Sequence, residues 1–545
     1  MLSVFRYLWQ ERFPLLAILG FFILGCLLTN PLRNVPIIDD WTYAWSVEHL
    51  LKTGRLAVLD WSAHYPILQT FWGGLFAFIF GFSFGALRLS TVCLAFLGCA
   101  ALYLTLRELD FNRERSLAGA FALAVNPIFF VLSFSFMTDA PFLCMMNLAA
   151  LCYVAGIRRD QQKLLWLGGL FAAAAFLSRQ IGILIPLILA PYLLQRWKEW
   201  SWPIFFRRLL PIVTPILFIA SLWLWMSKSL GRTSVMAQKL EGLPYLFSLG
   251  FIEYFEINFQ LIFQLAFCLF PLLIAGIYTR PRWKLPLLLL LTVTGALLLL
   301  WRFGSTPPPL EDGMTWSLSE LAHVRGLMRG TFTEPGPCKR FLPLTLILML
   351  ISTAALVAGS VSLLLKTRGR IGKAAAVLAV SGLLQLGLIN VLWFYYDRYY
   401  LVLFPTLIYL SLKIIPASRA AIITSWIGIA ILAFISITGV WDALRFNQAC
   451  LDACDYLRAN GVPAAKIDAG YSLTGWTLYA HPENLSPGEN PNEDVTWVTS
   501  DKELPYVISN TPLPGYETMK EIHWKGSVWA VSNSIYILHA RNAPN

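Results

Sequence analysis

Apolar runs of roughly 15–25 residues recur along this chain from Phe13 to Trp441, the length an α-helix needs to cross about 30 Å of hydrocarbon. Lipid offers no partner to a backbone N–H or C=O, so runs of this length must be helices; a barrel would show shorter alternating segments. Composition points the same way. Of 545 residues, 57% are hydrophobic and 13% charged, and the mean hydropathy is +0.62, outside the range of soluble globular proteins. The expected fold class is an all-α polytopic membrane protein.

Orientation follows from the basic residues. They cluster at Arg6/Arg12, Arg107/Arg113/Arg115, Arg158/Arg159/Lys163, Arg196/Lys198/Arg207/Arg208, Arg280/Arg282/Lys284, Lys366/Arg368/Arg370/Lys373 and Lys413/Arg419, and all of these are assigned to the cytoplasmic side. Neighbouring clusters must then be separated by an even number of crossings. Between Arg12 and Arg107 lie three apolar runs, 13–29, 67–84 and 86–106, so one of them does not cross. The middle run is aromatic, Gly-rich and preceded by His64-Tyr65-Pro66; it is read as an in-plane or re-entrant part of a first external loop, 30–85. Further crossings are expected near 117–135, 140–157, 164–178, 181–195, 209–227, 258–278, 285–301, 341–365, 374–394, 399–415 and 420–441, about 13 in all. This gives a multi-pass plasma-membrane protein with its N-terminus cytoplasmic and its C-terminus external. The run Phe13–Leu28 lacks a small-residue cleavage site and is expected to remain as an anchor.

The net charge of +11 is spread over the turns assigned to the cytoplasm, the pattern of topology determinants and not of a nucleic-acid face. The nine cysteines have no metal-ligand spacing; Cys26, Cys93 and Cys144 read as small core residues. Beyond Trp441 the composition turns polar. Residues 442–545 are expected to form a small external α/β domain, with a helix over Asp442–Asn460 ended by Gly461 and strands near Tyr506–Ser509 and Ser527–His539. Cys450 and Cys454 fall at i,i+4 in that helix, a spacing awkward for a disulfide. The long loops 228–257 and 302–340 are of the kind that bind or cover a site.

With this topology, Asp39, Asp40, Asp60, His64, Arg88, Asp139, Arg179, Asp397 and Arg398 all gather at the external membrane face. Adjacent carboxylates beside a membrane helix are costly unless they face water, a partner or a substrate. Asp139 sits in the turn SFMTDAP, where a plain helix cap is the competing reading. Arg179 lies in LSRQIG, between two helices that meet almost without a loop, and Arg398 in FYYDRYYLVLFP, where Asp397 could pair with it. Snorkelling and an aromatic belt are the alternatives there. Arginine suits phosphate, and a carboxylate suits the proton of an attacking hydroxyl or amine. The set as a whole describes a lipid-phosphate donor meeting an external acceptor.

In DDWTYAWSVEHLLKTGRL, HYP-ILQTFWG followed by FGFSFGALRLS, SFMTDAP, SRQIG and DRYYLVLFP, in this order, residues 13–410 resemble the GT-C membrane glycosyltransferases, in the branch of the protein O-mannosyltransferases and lipid A aminoarabinose transferases. The resemblance implies inverting transfer of a sugar from a polyprenyl-phosphate donor to an external lipid, protein or glycan acceptor. It further implies Asp39 or Asp40 as base, Asp139 shaping the same site, and Arg179, Arg398, Tyr399 and His64 as the donor-phosphate set. Many relatives carry a Lys before Pro-Pro where this chain has His64-Tyr65-Pro66, and a neutral imidazole grips phosphate less strongly. No cofactor is required by this scheme. The acid pair with His64 could form an oxygen/nitrogen site for a divalent metal, although no motif-grade spacing supports one. Of the two acids, Asp40 is expected to cap the helix that follows and Asp39 to face the cavity as base. The competing function is a transporter or flippase of a lipid-linked sugar, which would place charges along a midplane path.

Overall fold

The computed structural model describes residues 9–196, 199–241, 265–275, 372, 374–389, 397–485, 504–527 and 533–541, with the short pieces 322–323, 326–327 and 352–353. The fold is mostly helical with a small sheet near the C-terminus. The runs expected at 285–301 and 341–365 lie outside these residues, apart from 352–353 in the second.

Helix α1 (Arg12–Thr29) buries Ile18, Phe22, Gly25 and Thr29, a single stripe at helical spacing. Its other face leaves Phe13 69% and Leu27 76% exposed, as a helix facing hydrocarbon requires. Asn30 closes it in the left-handed conformation at φ 52. Next come α2 (Asp40–Thr53), α3 (Ile67–Phe80) and α4 (Phe84–Glu108). The 14 residues of α3 rise about 21 Å, short of the ~30 Å hydrocarbon core. α4 packs on α7 (Asp139–Arg158) so closely that a Cβ on Gly98 would lie 3.1 Å from the Cys144 Cα, and the Asn147 amide donates to the Gly98 carbonyl at 3.0 Å.

The run at 117–135 is a broken element: α5 (Arg113–Ala124) and α6 (Pro127–Ser133) meet at 67°. Asn126 causes the break by capping the Ile128 and Phe129 N–H groups ahead of Pro127. After α8 (Gln162–Phe176) the chain doubles back into a 3-10 helix, Gln180–Leu189, that continues as α9 (Ala190–Arg196). Gly182 permits this reversal, since a Cβ there would stand 2.5 Å from the Phe176 nitrogen. α10 (Trp202–Ser229), α11 (Ser234–Glu241), α12 (Ala375–Ile389) and α13 (Phe404–Ile414) follow. Among the described residues, five helices are long and apolar enough to cross a membrane, or six if the bent pair is one span.

The last long helix among the described residues, α14, runs unbroken from Arg419 to Ala459. The expected end of a span at 441 and start of a separate helix at 442 fall inside this one element. Its 41 residues measure about 61 Å, twice the hydrocarbon thickness, so its second half carries the tail. There Ala449, Cys450, Ala453, Cys454 and Leu457 pack on a sheet through Ile467, Ile508, Ile535 and Ile537; both thiols are free and buried. The sheet, in the order β1-β2-β4-β3, pairs β1 (Ile467–Asp468) parallel to β2 (Tyr506–Ser509), with β4 (Ser534–Ala540) antiparallel to both β2 and β3 (Tyr516–His523). β3 has no counterpart among the sequence expectations.

Candidate active site

Four segments far apart in the chain converge beyond the C-terminal end of α1. The loop after α1 brings Asp39, and the first turn of α7 brings Asp139. The extended residue between α8 and the 3-10 helix is Arg179, at φ −149 and ψ 133. The 3-10 turn Asp397–Leu403 carries Arg398 and Tyr399.

Two ion pairs result. Arg398 Nη2 donates to Asp39 Oδ2 at 2.9 Å, and Arg179 Nη1 donates to Asp139 Oδ1. The guanidinium carbons of both arginines lie over the Tyr399 ring, at 5.2 Å for Arg179 and 5.8 Å for Arg398. Asp139, Arg179, Arg398 and Tyr399 line one cavity, whose other walls include Phe142, Leu143, Ile181, Ile389 and Leu401. Asp139 is buried, and its Oδ2 has no hydrogen-bond partner among the described residues. An unsatisfied carboxylate oxygen in an apolar-walled cavity beside two arginines is an acceptor left open for a donor from outside.

The neighbouring acids part company. Asp39 occupies the N-cap position and α2 begins with Asp40, so the expected capping role of Asp40 is not what the chain adopts. Asp40 is sealed from solvent; its Oδ1 accepts from the Ile37 N–H at 2.8 Å, and its Oδ2 stands 3.7 Å from Arg88 Nη2. The buried Arg88 requires that counter-charge, which draws Asp40 inward. Arg88 also donates to the carbonyls of Arg33 and Val35, so the pair fixes the loop that presents Asp39. Burial pushes the Asp40 carboxyl up to about 7, against the pull of Arg88 and the two backbone donors Ile37 and Phe136. Ile38, between Ile37 and Asp39, stands at φ 55, a left-handed conformation strained for a β-branched residue.

His64 turns to Thr138, with Nε2 2.8 Å from Oγ1, and lies 5.3 Å from the Tyr43 ring. It is not among the residues lining the arginine cavity. Asp60 receives the Ser234 N–H at 2.8 Å and caps α11; it is not among the residues lining the arginine cavity. The Asp397 side chain lies outside what is described, and the partner shown for Arg398 is Asp39. Among the described residues no three His, Cys, Asp or Glu groups gather as a metal site; Asp40 and His64 are turned to separate partners.

Two tyrosines were missed by sequence reasoning. Tyr43 is buried and interacts electrostatically with Asp39, Arg398, Arg179 and Asp139 together; burial raises its phenol, as do the two acids. Tyr471, from the tail, donates its hydroxyl to Asp39 Oδ1 at 2.6 Å. In an aromatic-rich membrane sequence Tyr43 does not stand apart from an interfacial belt, and Tyr471 lies in the tail, 432 positions from Asp39.

Residues 64–210 match the family model described as dolichyl-phosphate-mannose-protein mannosyltransferase. This match contains His64, Asp139 and Arg179 and covers less than half of the chain. No curated protein matches the sequence. Among solved structures, the chain is similar to ArnT from Cupriavidus metallidurans bound to undecaprenyl phosphate, at 13% identity over 97% of this chain and 99% of that one, with a TM-score of 0.41. It is also similar to the oligosaccharyltransferase of Archaeoglobus fulgidus in the apo form, at 14% identity over 81% of this chain and a TM-score of 0.41; the chain spans 58% of that protein's length.

Proposed function

We propose that this protein transfers a sugar from a polyprenyl-phosphate donor to an acceptor hydroxyl or amine on the external face of the plasma membrane, with inversion at the anomeric carbon. The reading is supported chiefly by the Asp139–Arg179 pair, Arg398 and Tyr399 lining one cavity with apolar walls, with Asp39 held beside it through its ion pair to Arg398. The family model's name supplies the donor class, a prenyl phosphate carrying a sugar.

Asp39 takes the proton of the acceptor as its oxygen or nitrogen bonds to the anomeric carbon on the face opposite the phosphate. The bond from that carbon to the phosphate oxygen breaks, and its electron pair leaves with the polyprenyl phosphate. Arg179 and Arg398 stabilise that negative charge in a site that excludes water. Asp139 orients Arg179 and offers Oδ2 to a sugar hydroxyl. The proton on Asp39 passes to water before the next turnover. Tyr399, beneath both guanidinium groups, keeps the arginines apart and aimed at one anion. This mechanism requires Asp39 to be external, the arrangement in which the 67–84 run stays in-plane and about 13 spans leave residues 442–545 on the same side.

The test is transfer from defined polyprenyl-phosphate sugars by purified protein in bilayer discs. Asp39→Asn should keep donor binding while turnover falls about 10²–10⁴-fold, the scale of a lost general base. Wild-type turnover in that variant would overturn the assignment.

A further inference from the structure

The tail reaches into the site. Its segment Gly470–Ser472 lies against the loop before α2: Tyr471 donates to Asp39 Oδ1 at 2.6 Å, and Ser472 Oγ donates to the Ile38 carbonyl at 2.9 Å. The second bond holds the residue whose backbone is strained, and the first occupies the carboxylate oxygen that Arg398 leaves. The segment is rigidly placed. Gly470 turns at φ 90, its N–H donates to Asp468 Oδ1 at 3.2 Å, and the Ala469 N–H donates to Thr474 Oγ1 at 3.0 Å. Tyr471 meets the buried Trp41 edge-on at 6.0 Å, and a Cβ on Gly475 would come within 2.5 Å of that indole. From the other side, Val35 of the catalytic loop is part of the tail's own apolar core. The two regions are one structure at this point.

We infer that Tyr471 is a positioning residue for the base, so that the active site is completed only by the C-terminal domain. This rests on the glycosyltransferase reading above. With Arg398 on Oδ2 and Tyr471 on Oδ1, the carboxylate cannot rotate about its Cβ–Cγ bond, and the lone pairs left over point in fixed directions. Without the phenol, Asp39 keeps its ion pair and loses its orientation; the donor phosphate, held by the arginines, is unaffected.

The experiment is a double-mutant cycle in the full-length protein, read as kcat and donor KM for a polyprenyl-phosphate sugar. Tyr471→Phe keeps the ring on Trp41, and we expect kcat to fall about tenfold or more with donor KM within about twofold. In the Asp39→Asn background the same change should cost less than about twofold, because the group it positions is no longer a base. A merely structural role would cost the same factor in both backgrounds and would overturn the inference, as would unchanged kcat in Tyr471→Phe. Should that variant fold poorly, fluorotyrosine at 471 keeps shape and alters only the acidity of the phenol. A changed kcat then supports the inference and an unchanged one overturns it. Absence of transfer by the wild type from any such donor would instead remove the reading of the site, and the inference with it.

Discussion

The two ends of α1 each carry acids set among arginines, and they are built to opposite ends. Ahead of α1, Glu11 is buried beneath Tyr103, Arg107 and Arg113. Both of its carboxylate oxygens are taken: Oε2 by the Tyr103 hydroxyl and Arg113, Oε1 by Arg107 at 3.2 Å. Arg107 goes on to the Phe111 carbonyl and Arg113 to that of Gln10. Beyond the other end, Asp139 keeps an oxygen without a partner among the described residues, in a cavity where Arg179 and Arg398 also lie. A saturated cluster ties helices together, whereas an open one holds capacity for a ligand. Charge alone does not separate them, and what separates them is whether hydrogen bonds remain to be made.

The comparison breaks most sharply at one arginine from each end. Arg179→Ala removes a charge-assisted contact to the donor phosphate, so binding of a polyprenyl phosphate, measured by titration, should weaken by about 1.5–3 kcal/mol, or roughly 10–150-fold. The melting temperature should fall too, because Arg179 is the ion-pair partner of buried Asp139, so binding is read per folded molecule. Arg107→Ala should likewise lower the melting temperature, since it strips a partner from buried Glu11, but should leave donor binding unchanged. Equal effects of both variants on binding would show that the two ends do not differ as described.

Part of this difference was legible in the sequence. Asp39, Asp139, Arg179 and Arg398 could be collected because assigning the basic turns to one side put all four on the other, and because LSRQIG leaves almost no loop around Arg179. The pairings could not be read. Which of two adjacent acids turns inward depends on Arg88, 48 positions from Asp40 along the chain, and nothing local marks that arginine as buried. His64 looked like a phosphate ligand by its place before Tyr65-Pro66, and its contact with Thr138 appears only when α7 is packed. Tyr471 lies 432 positions from Asp39, beyond any periodicity. The end read at 441 followed the fall in hydropathy, but helical hydrogen bonds continue through a change of solvent as long as the residues keep helix propensity, as Asp442–Ala459 do.

The smallest expected effect sharpens the comparison through pH. Burial pushes the Glu11 carboxyl up, but the Tyr103 hydroxyl with Arg107 and Arg113 outweighs it, and the group ends below its ordinary 4.5. An acid whose folded value is depressed contributes stability that is present above the unfolded value and lost as pH falls through the folded one. Glu11→Gln should therefore melt below wild type at pH 7, and the gap between the two should close as pH drops below about 4.5. Taking the difference between variants cancels the other carboxylates that titrate in the same range. Transfer activity at pH 7, per folded molecule, should be the same for both proteins, because both Glu11 oxygens are already taken and the cluster lies at the opposite end of α1 from the arginine cavity. A gap that stays constant down to pH 3 would mean that the charge on Glu11 does not hold this end of the bundle, and the contrast between a closed and an open cluster would lose its closed member.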